Sequence, residues 1–384
     1  MVVIKDISSK IILDSRKENT ILVSIKTNVG IFSASAPNGK SRGKNAKKPY
    51  KKSLENDMKT LKNFSDYFSK ERISSFDDLK NIDDIIRDHI GANTLFALES
   101  GVLKALAKEK KKEIWQLINP SSKKIPRLVG NCVGGGKHSN SEKKPDFQEF
   151  LLIPNIKSIN KSQEINKKAK EQIEYMLKDH DEKFKSKKTD EDAWKTSLNE
   201  KEVFEVLNNF KTPIGTDIAA SSFYKRKKYN YQNPMLKRTE EEQFEYISNL
   251  IKNFDLFYIE DPFQEEDFQS FTKLLKKFPD RLIIGDDLIV TNSERLEKAI
   301  KNKSVNAIIV KPNQIGSLIE VKNVCVLAKK NNIKIVFSHR SGETDENILA
   351  DLAFGFEADF FKSGITGRER EVKINRLIEI EKSL

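Results

Sequence analysis

One pattern narrows the folds open to this chain more than any other. In its second half, short apolar runs each end in a residue suited to chemistry. The run 256–259 leads into Glu260 and Asp261, and 282–284 leads through Gly285 into Asp286 and Asp287. The run 307–310 ends in Lys311, 333–337 ends in Ser338, His339 and Arg340, and Phe360 and Phe361 end in Lys362. The reactive positions recur about every 25 residues, the length of one strand plus one crossover helix. Reactive residues at the C-terminal ends of successive parallel strands are how a (β/α) barrel builds an active site. The pattern therefore predicts an enzyme on an α/β barrel.

The carboxylates come first. Asp217 follows a Gly-Thr step near the end of a further apolar run, and Glu260 and Asp286 end their own runs. Singly, each reads as well as a helix N-cap or a salt-bridge partner. Three on neighbouring strand ends would repel one another, and a divalent cation relieves that repulsion. Oxygen ligands of this kind favour Mg²⁺. Lys311 and Lys362 would point into the same crowded space, where burial and neighbouring positive charge push a lysine pKa down toward that of a useful base. His339, Arg340 and Ser341 form a compact polar group, and arginine suits a bidentate grip on phosphate or carboxylate.

Ahead of this unit, residues 1–120 read as a smaller α+β domain. Strand-like runs fall at 2–4, 11–13, 21–25 and 31–35, and helical spacing at 54–68, 82–90 and 92–110. The Pro/Ser/Lys segment 120–124 marks the expected boundary. The second unit, 125–384, has the usual length of a barrel domain. Its helices are expected at 162–179, 240–254, 268–278, 293–301, 317–330 and 346–355, with a charged loop at 181–189.

Charged residues make up 33% of the chain and no long apolar run interrupts them, so no membrane span is expected. The first residues are too polar for a secretory signal. Two cysteines, Cys132 and Cys325, are too few for a disulfide framework, and a reducing cytoplasm is the expected setting. The net charge of +12 raises nucleic-acid binding. Lysine is nevertheless spread along the chain, and the runs 47–52 and 225–228 read as solvated loops. Nucleic acid is not the expected partner.

Two glycine-containing loops stand apart. Residues 37–43, Pro-Asn-Gly-Lys-Ser-Arg-Gly, form a basic loop able to close over a ligand. Residues 134–138, Gly-Gly-Gly-Lys-His, could bring backbone and His138 close to one. Neither has the spacing of a P-loop.

Taken together these motifs resemble the enolase (phosphopyruvate hydratase) family over nearly the whole chain. Leu13-Asp14-Ser15-Arg16 resembles the family's amino-terminal motif, and Gly91-Ala92-Asn93 the start of a first-domain helix. The most specific matches are Ile259-Glu260-Asp261-Pro262, Gly285-Asp286-Asp287-Leu288 and Lys311-Pro312-Asn313-Gln314-Ile315-Gly316. Ser338-His339-Arg340-Ser341-Gly342-Glu343-Thr344 and Lys362-Ser363-Gly364 complete the set.

The resemblance implies a small α+β domain followed by a TIM-like barrel with a ββαα start. It implies the reversible, Mg²⁺-dependent dehydration of 2-phosphoglycerate to phosphoenolpyruvate, a step of glycolysis and gluconeogenesis, with two Mg²⁺ per subunit. Asp217, Glu260 and Asp286 would hold the first cation, and Ser41 would help fix the second. Lys311 would be the base, Glu191 the general acid with Glu149 beside it, and Lys362 the group facing the substrate carboxylate. Arg340 and Ser341 would bind phosphate, with His138 and His339 completing the pocket. A homodimer or an assembly of dimers is implied as well, with Arg16 and Glu381 as interface positions.

The chain departs from the family pattern in two loops. Asn38, Lys40 and Arg42 replace small residues of the closure loop. Around the acid, Asp192 and Ala193 stand where the family carries two glycines, and aspartate and alanine tolerate left-handed backbone angles less well. These changes leave two alternatives: dehydration of a related phosphorylated hydroxy acid, or an enolase-like polyanion-binding protein without turnover.

Overall fold

The computed structural model describes residues 1–40, 43–69 and 71–384. The chain opens with β1 (Val2–Leu13), β2 (Asn19–Thr27) and β3 (Gly30–Ser35), an antiparallel meander with the short β4 (Arg72–Ile73) on the other side of β1. The two runs expected at 2–4 and 11–13 are one strand. Its polar middle, 5–10, stays paired with β2 because Ile7 still reaches the core, and a register shift between Ile4 and Asp6 absorbs the mismatch. Helices Leu54–Phe68 and Ala92–Lys110 pack on this sheet.

The helix expected at 82–90 lies instead at Leu79–Ile86. The chain then turns at Gly91, whose backbone N–H donates to Asp57 Oδ2 at 2.7 Å, and re-enters helix at Ala92. The short helix Ile114–Ile118 closes the first domain.

The second domain is an eight-stranded barrel among the described residues. Its strands are β5 (Arg127–Gly134), β6 (Glu149–Leu152), β8 (Ile214–Asp217), β12 (Tyr258–Glu260), β13 (Leu282–Gly285), β14 (Ala307–Val310), β15 (Lys334–Ser338) and β16 (Phe360–Gly364). β16 pairs in parallel with β5 and closes the ring. The small β7 (Trp194–Lys195) attaches to β5 outside it.

β6 alone runs against its neighbours, antiparallel to both β5 and β8. Helices Ile159–His180 and Glu200–Leu207 then precede β8, which gives the ββαα start; six strand-helix units follow. Between β8 and the next helix, β9 (Tyr224–Lys225), β10 (Lys228–Gln232) and β11 (Met235–Arg238) form a small antiparallel sheet. Residues 225–228 are thus the turn of a hairpin rather than a free loop. Tyr229 and Tyr231 behind them are fully buried.

The barrel interior explains where the reactive residues point. A core cluster separate from the main one contains Val129, Leu151, Tyr258, Ile284, Ile309, Val336 and Phe360. Side chains alternate along a strand, so the residue two positions on faces the same way. Two positions beyond Tyr258, Ile284, Ile309 and Phe360 are Glu260, Asp286, Lys311 and Lys362. The apolar plug of the barrel therefore becomes, one layer up, a floor of charged groups at the C-terminal mouth. On the reversed β6 the count runs the other way: Glu149 precedes Leu151 by two and sits opposite Asp217 in register.

Candidate active site

Three floor carboxylates meet one ammonium. Lys362 Nζ lies 2.8 Å from Glu260 Oε2, 3.0 Å from Asp217 Oδ2 and 3.2 Å from Glu149 Oε2. All four side chains are buried. Tyr258 below donates its hydroxyl to Glu260 Oε2 at 2.7 Å. Burial would lower the Lys362 pKa, but Asp217, Glu149 and Glu260 outweigh it and hold the pKa well above the lysine range.

Lys311 pairs with Asp286, whose other oxygen accepts from Gln314 Nε2 at 3.3 Å. Here the sequence expectation is corrected. Burial, Arg340 and Lys362 pull the Lys311 pKa down as anticipated, yet the net direction is up, with Asp286 foremost among the groups that raise it.

The expected cation ligands are split between these two lysines: Asp217 and Glu260 converge on Lys362, and Asp286 turns to Lys311. Asp286 also groups with Asp261 and Asp287 closely enough to hold a divalent cation, as do His138, Glu149 and Glu191. Asp261 is partly committed, since its two oxygens accept the backbone N–H groups of Asp286 and Asp287 at 3.0 and 2.7 Å. Among the described residues no hydrogen-bond donor reaches Asp217 Oδ1 or Glu260 Oε1, although both atoms are buried. Orphaned carboxylate oxygens of this kind are costly unless a cation or donor completes them. The donor set therefore fits a hard divalent ion.

Opposite the lysines lies an acid–imidazole cluster. Glu191 accepts from Asn131 Nδ2 at 3.0 Å, and its oxygens lie 3.3 Å from His138 Nδ1 and 3.5 Å from His339 Nε2. His138 Nδ1 also meets Asp190 Oδ1 at 2.9 Å. Burial opposes ionisation of Glu191, but His138 and His339 hold it well below the usual carboxylate range. Glu149 goes the other way: burial and the charge of Glu191 lift it to about 8. Burial pulls His138 down, but Glu191, Asp190 and Glu149 outweigh it and raise it to about 9. Burial lowers the pKa of His339. The two carboxyls of the pair are thus pushed in opposite directions, Glu149 up and Glu191 down.

The phosphate-binding candidates sit on the rim. Arg340 is buried; its backbone N–H donates to Glu343 Oε1 at 2.8 Å and its guanidinium to Asn313 Oδ1 at 3.0 Å. The guanidinium occupies the space that a Cβ at Gly39 would need, so any larger residue at 39 would have to displace the Arg340 side chain. Asn38 bridges to Gly342 through both backbone hydrogen bonds, 2.7 and 2.9 Å. Ser341 Oγ accepts from Lys40 N at 2.9 Å and from Arg16 Nη1 at 3.1 Å. Lys40 Nζ reaches Asp190 Oδ2 at 2.9 Å. On its far side the loop is tied at Lys44 N to Glu265 Oε2, 2.7 Å. Ser41 lies outside the described residues.

Arg16 and Glu381 are both engaged inside the chain. Arg16 pairs with Glu18 beside Ser341. Glu381 accepts the backbone N–H of Ile159 at 3.0 Å and so caps the helix Ile159–His180.

Several site residues were not anticipated as such. Asn131 lies two positions after Val129 on β5, so strand alternation could have flagged it. Asn313 and Gln314 follow Lys311 directly. Glu343 and Lys373, a buried pair at 2.9 Å, and Arg370 support the rim. Lys373 and Arg370 lie on the terminal helix Arg368–Ser383, whose charged composition hides its apolar stripe of Ile374, Leu377 and Ile380.

A capping α+β domain on a ββαα-type barrel, with acids, lysines and histidines gathered at one mouth, defines a class of metal-assisted lyases. Residues 122–384 match the family model described as the enolase C-terminal TIM barrel domain. The chain is 35% identical over 406 residues to an enolase of Methanosphaera stadtmanae, covering 100% of this chain and 97% of that one. It is 40% identical over 274 residues to an enolase of Pyrobaculum aerophilum, covering 67% and 64%. An enolase of Thermoplasma acidophilum is 32% identical over 402 residues, covering 99% and 98%. The chain belongs to the enolase family.

Proposed function

We propose that the chain dehydrates 2-phosphoglycerate to phosphoenolpyruvate, reversibly, with two Mg²⁺ per subunit. The observation that carries this reading is the arrangement of the mouth. Two lysines and the acids Asp217, Glu260 and Asp286 gather beside a buried carboxyl pair, Glu149 and Glu191, with Arg340 on the rim.

The proton alpha to a carboxylate is very weakly acidic, so its removal needs positive charge close to the developing anion. Asp217, Glu260 and Asp286 would hold a divalent cation, which supplies that charge when bound. A lysine base beside Mg²⁺ is a general arrangement for chemistry of this type. Once Asp286 is withdrawn from Lys311, burial, Arg340 and Lys362 all lower its pKa, and Glu260 alone among its strongest influences raises it. Lys311 would then be the group that takes the proton. Lys362 holds the substrate carboxylate and balances the charge that builds on it.

The leaving hydroxyl needs a proton from the other face. Glu149, whose pKa is raised, is the member of the pair better suited to carry one, and Glu191, held by Asn131 and two imidazoles, raises the pKa of His138 beside it. The pair, rather than Glu191 alone, would deliver the proton. Arg340 and Ser341 would grip the phosphate, and the 37–45 segment would shut out water.

The reading is tested by following phosphoenolpyruvate absorbance from 2-phosphoglycerate, with Mg²⁺ and with chelator. Turnover within the ordinary range of about 1–1000 per second, lost with chelator, supports it. A folded protein with Mg²⁺ and no rate above background overturns it. Related phosphorylated hydroxy acids would then be tried.

A further inference from the structure

The segment that carries Glu191 is held in an unusual way. Asp192 has φ +64, a left-handed angle that aspartate adopts more readily than most residues. The position therefore keeps the backbone that glycine would supply, and adds a side chain. That side chain is gripped from beneath. Lys170, from the helix Ile159–His180, is buried and brings its ammonium to the Asp192 carbonyl, to Asp192 Oδ2 at 3.1 Å and to the hydroxyl of Thr366. Thr366 donates to the same Asp192 carboxylate. Trp194 closes the group, its Nε1 donating to the Lys170 carbonyl at 2.9 Å and its ring lying 5.5 Å from the Lys170 ammonium.

The turn itself is cross-braced. Thr189 Oγ1 accepts the N–H groups of Glu191 and Ala193 at 3.3 and 3.2 Å, and the Thr189 N–H donates to the Ala193 carbonyl at 2.8 Å. On the other side of Glu191, Arg370 donates to the Asp190 carbonyl at 3.0 Å. The Glu191 carbonyl packs where a Cβ on Gly364 would stand, 2.5 Å away, so β16 accepts this segment only through a glycine.

We infer that Lys170, Asp192 and Thr366 form a clamp that positions Glu191, so that the carboxylate is set before substrate arrives. The inference rests on the proposed function in taking Glu191 as part of the proton-delivering pair. None of the three touches the reacting groups; they act through the backbone on which Glu191 stands. Deleting the Asp192 side chain alone leaves the buried Lys170 ammonium short of an acceptor, whereas Asp192, a quarter exposed, also pairs with Lys188 at 3.2 Å. An informative variant therefore removes both clamp partners.

The variant K170M/D192G does so and keeps the left-handed angle accessible. Amide hydrogen exchange of residues 189–194, kcat, KM for 2-phosphoglycerate and the thermal midpoint are compared with those of the wild-type chain. D192N serves as the conservative partner, since it retains hydrogen bonds to Lys170 and Thr366. The clamp predicts exchange in 189–194 at least about tenfold faster in K170M/D192G, with exchange in the barrel strands unchanged. A misplaced acid costs roughly tenfold to a hundredfold in rate, so kcat falls by that factor while KM stays within about threefold. D192N should stay within about threefold of wild type in both.

Wild-type exchange together with wild-type kcat in K170M/D192G would overturn the clamp. If the wild-type chain shows no turnover of 2-phosphoglycerate, the functional reading fails and exchange alone decides the clamp: faster exchange upholds it, unchanged exchange overturns it.

Discussion

The floor and the rim of the barrel mouth are built on different principles. The floor groups, Asp217, Glu260, Lys311 and Lys362, stand on or directly after β-strands, one alternation above an apolar plug. Their positions follow from the strands, and the only freedom left is rotamer choice. The rim groups, Asn38, Lys40, Asp190 and Arg340, stand on loops and are held by contacts between residues far apart in sequence. A floor residue can be changed without moving its backbone. A rim residue holds its neighbour's backbone as well as its own.

The sharpest test of the contrast is Lys311→Ala. General acid–base groups contribute roughly 10²–10⁴ in rate, so kcat for phosphoenolpyruvate formation should fall by that factor while the circular dichroism spectrum stays that of the wild type. A large change in secondary structure would show that the floor, too, is a folding element. Lys362→Met asks what a floor charge does for stability. It leaves Asp217 and Glu260 buried without their cation, and breaking such a group costs about 3–5 kcal/mol. Urea unfolding should show this loss. Millimolar Mg²⁺ should restore more of it in the variant than it adds to the wild type, because a metal can stand in for the missing ammonium.

An acid buried away from the mouth provides the next comparison. Glu200 forms no ion pair among the described residues; Tyr246 donates its hydroxyl at 2.9 Å, and burial, opposed in part by Arg238, lifts the carboxyl pKa to about 7. A carboxyl pKa raised on folding adds stability that is full below the unfolded value and is lost as pH rises through about 7. Glu200→Gln should therefore be more stable than wild type at pH 8.5, on the order of 2 kcal/mol, with the difference gone near pH 4. Thermal melts across that range check it; an unchanged difference at all pH values would mean that Glu200 is not the titrating group.

The smallest effect belongs to the rim. Lys40→Ala removes a half-exposed pair with Asp190, and such pairs contribute about 0–1 kcal/mol. KM should rise a few-fold at most, with kcat nearly unchanged. A loss as large as that of Lys311→Ala would dissolve the distinction between floor and rim.

The same distinction governs what could be read from the sequence. Glu260, Asp286, Lys311 and Lys362 were legible because short apolar runs ended in them at barrel spacing. Helices with an apolar face, such as Leu54–Phe68, Ala92–Lys110 and Glu240–Phe254, were legible for the analogous reason. Glu149 broke the pattern because β6 runs backwards, so its reactive residue comes before the apolar run instead of after it. Glu191 came only from family resemblance, since a lysine-rich loop has no periodicity to place it. Arg370 and Lys373 had no signal, being charged residues in a helix whose charge masked it. The pKa of Lys311 goes up rather than down because Asp286 pairs with it directly, a partner that residue spacing along the chain does not reveal.

The rim also dictates when in the life of the polypeptide the site can exist. Ser15 and Ser341 meet although they lie 326 positions apart in the chain, and Arg370 ties both to the Asp190 carbonyl. Loop-closure entropy makes such distant contacts among the last to form. On the ribosome the capping domain and most of the barrel are translated before Lys362 and Arg370, so the mouth is still unfinished when those parts have emerged. Until then Asp217, Glu260 and Glu149 lack the ammonium that gathers them. The mouth is complete only once β16 and the helix Arg368–Ser383 have joined the barrel.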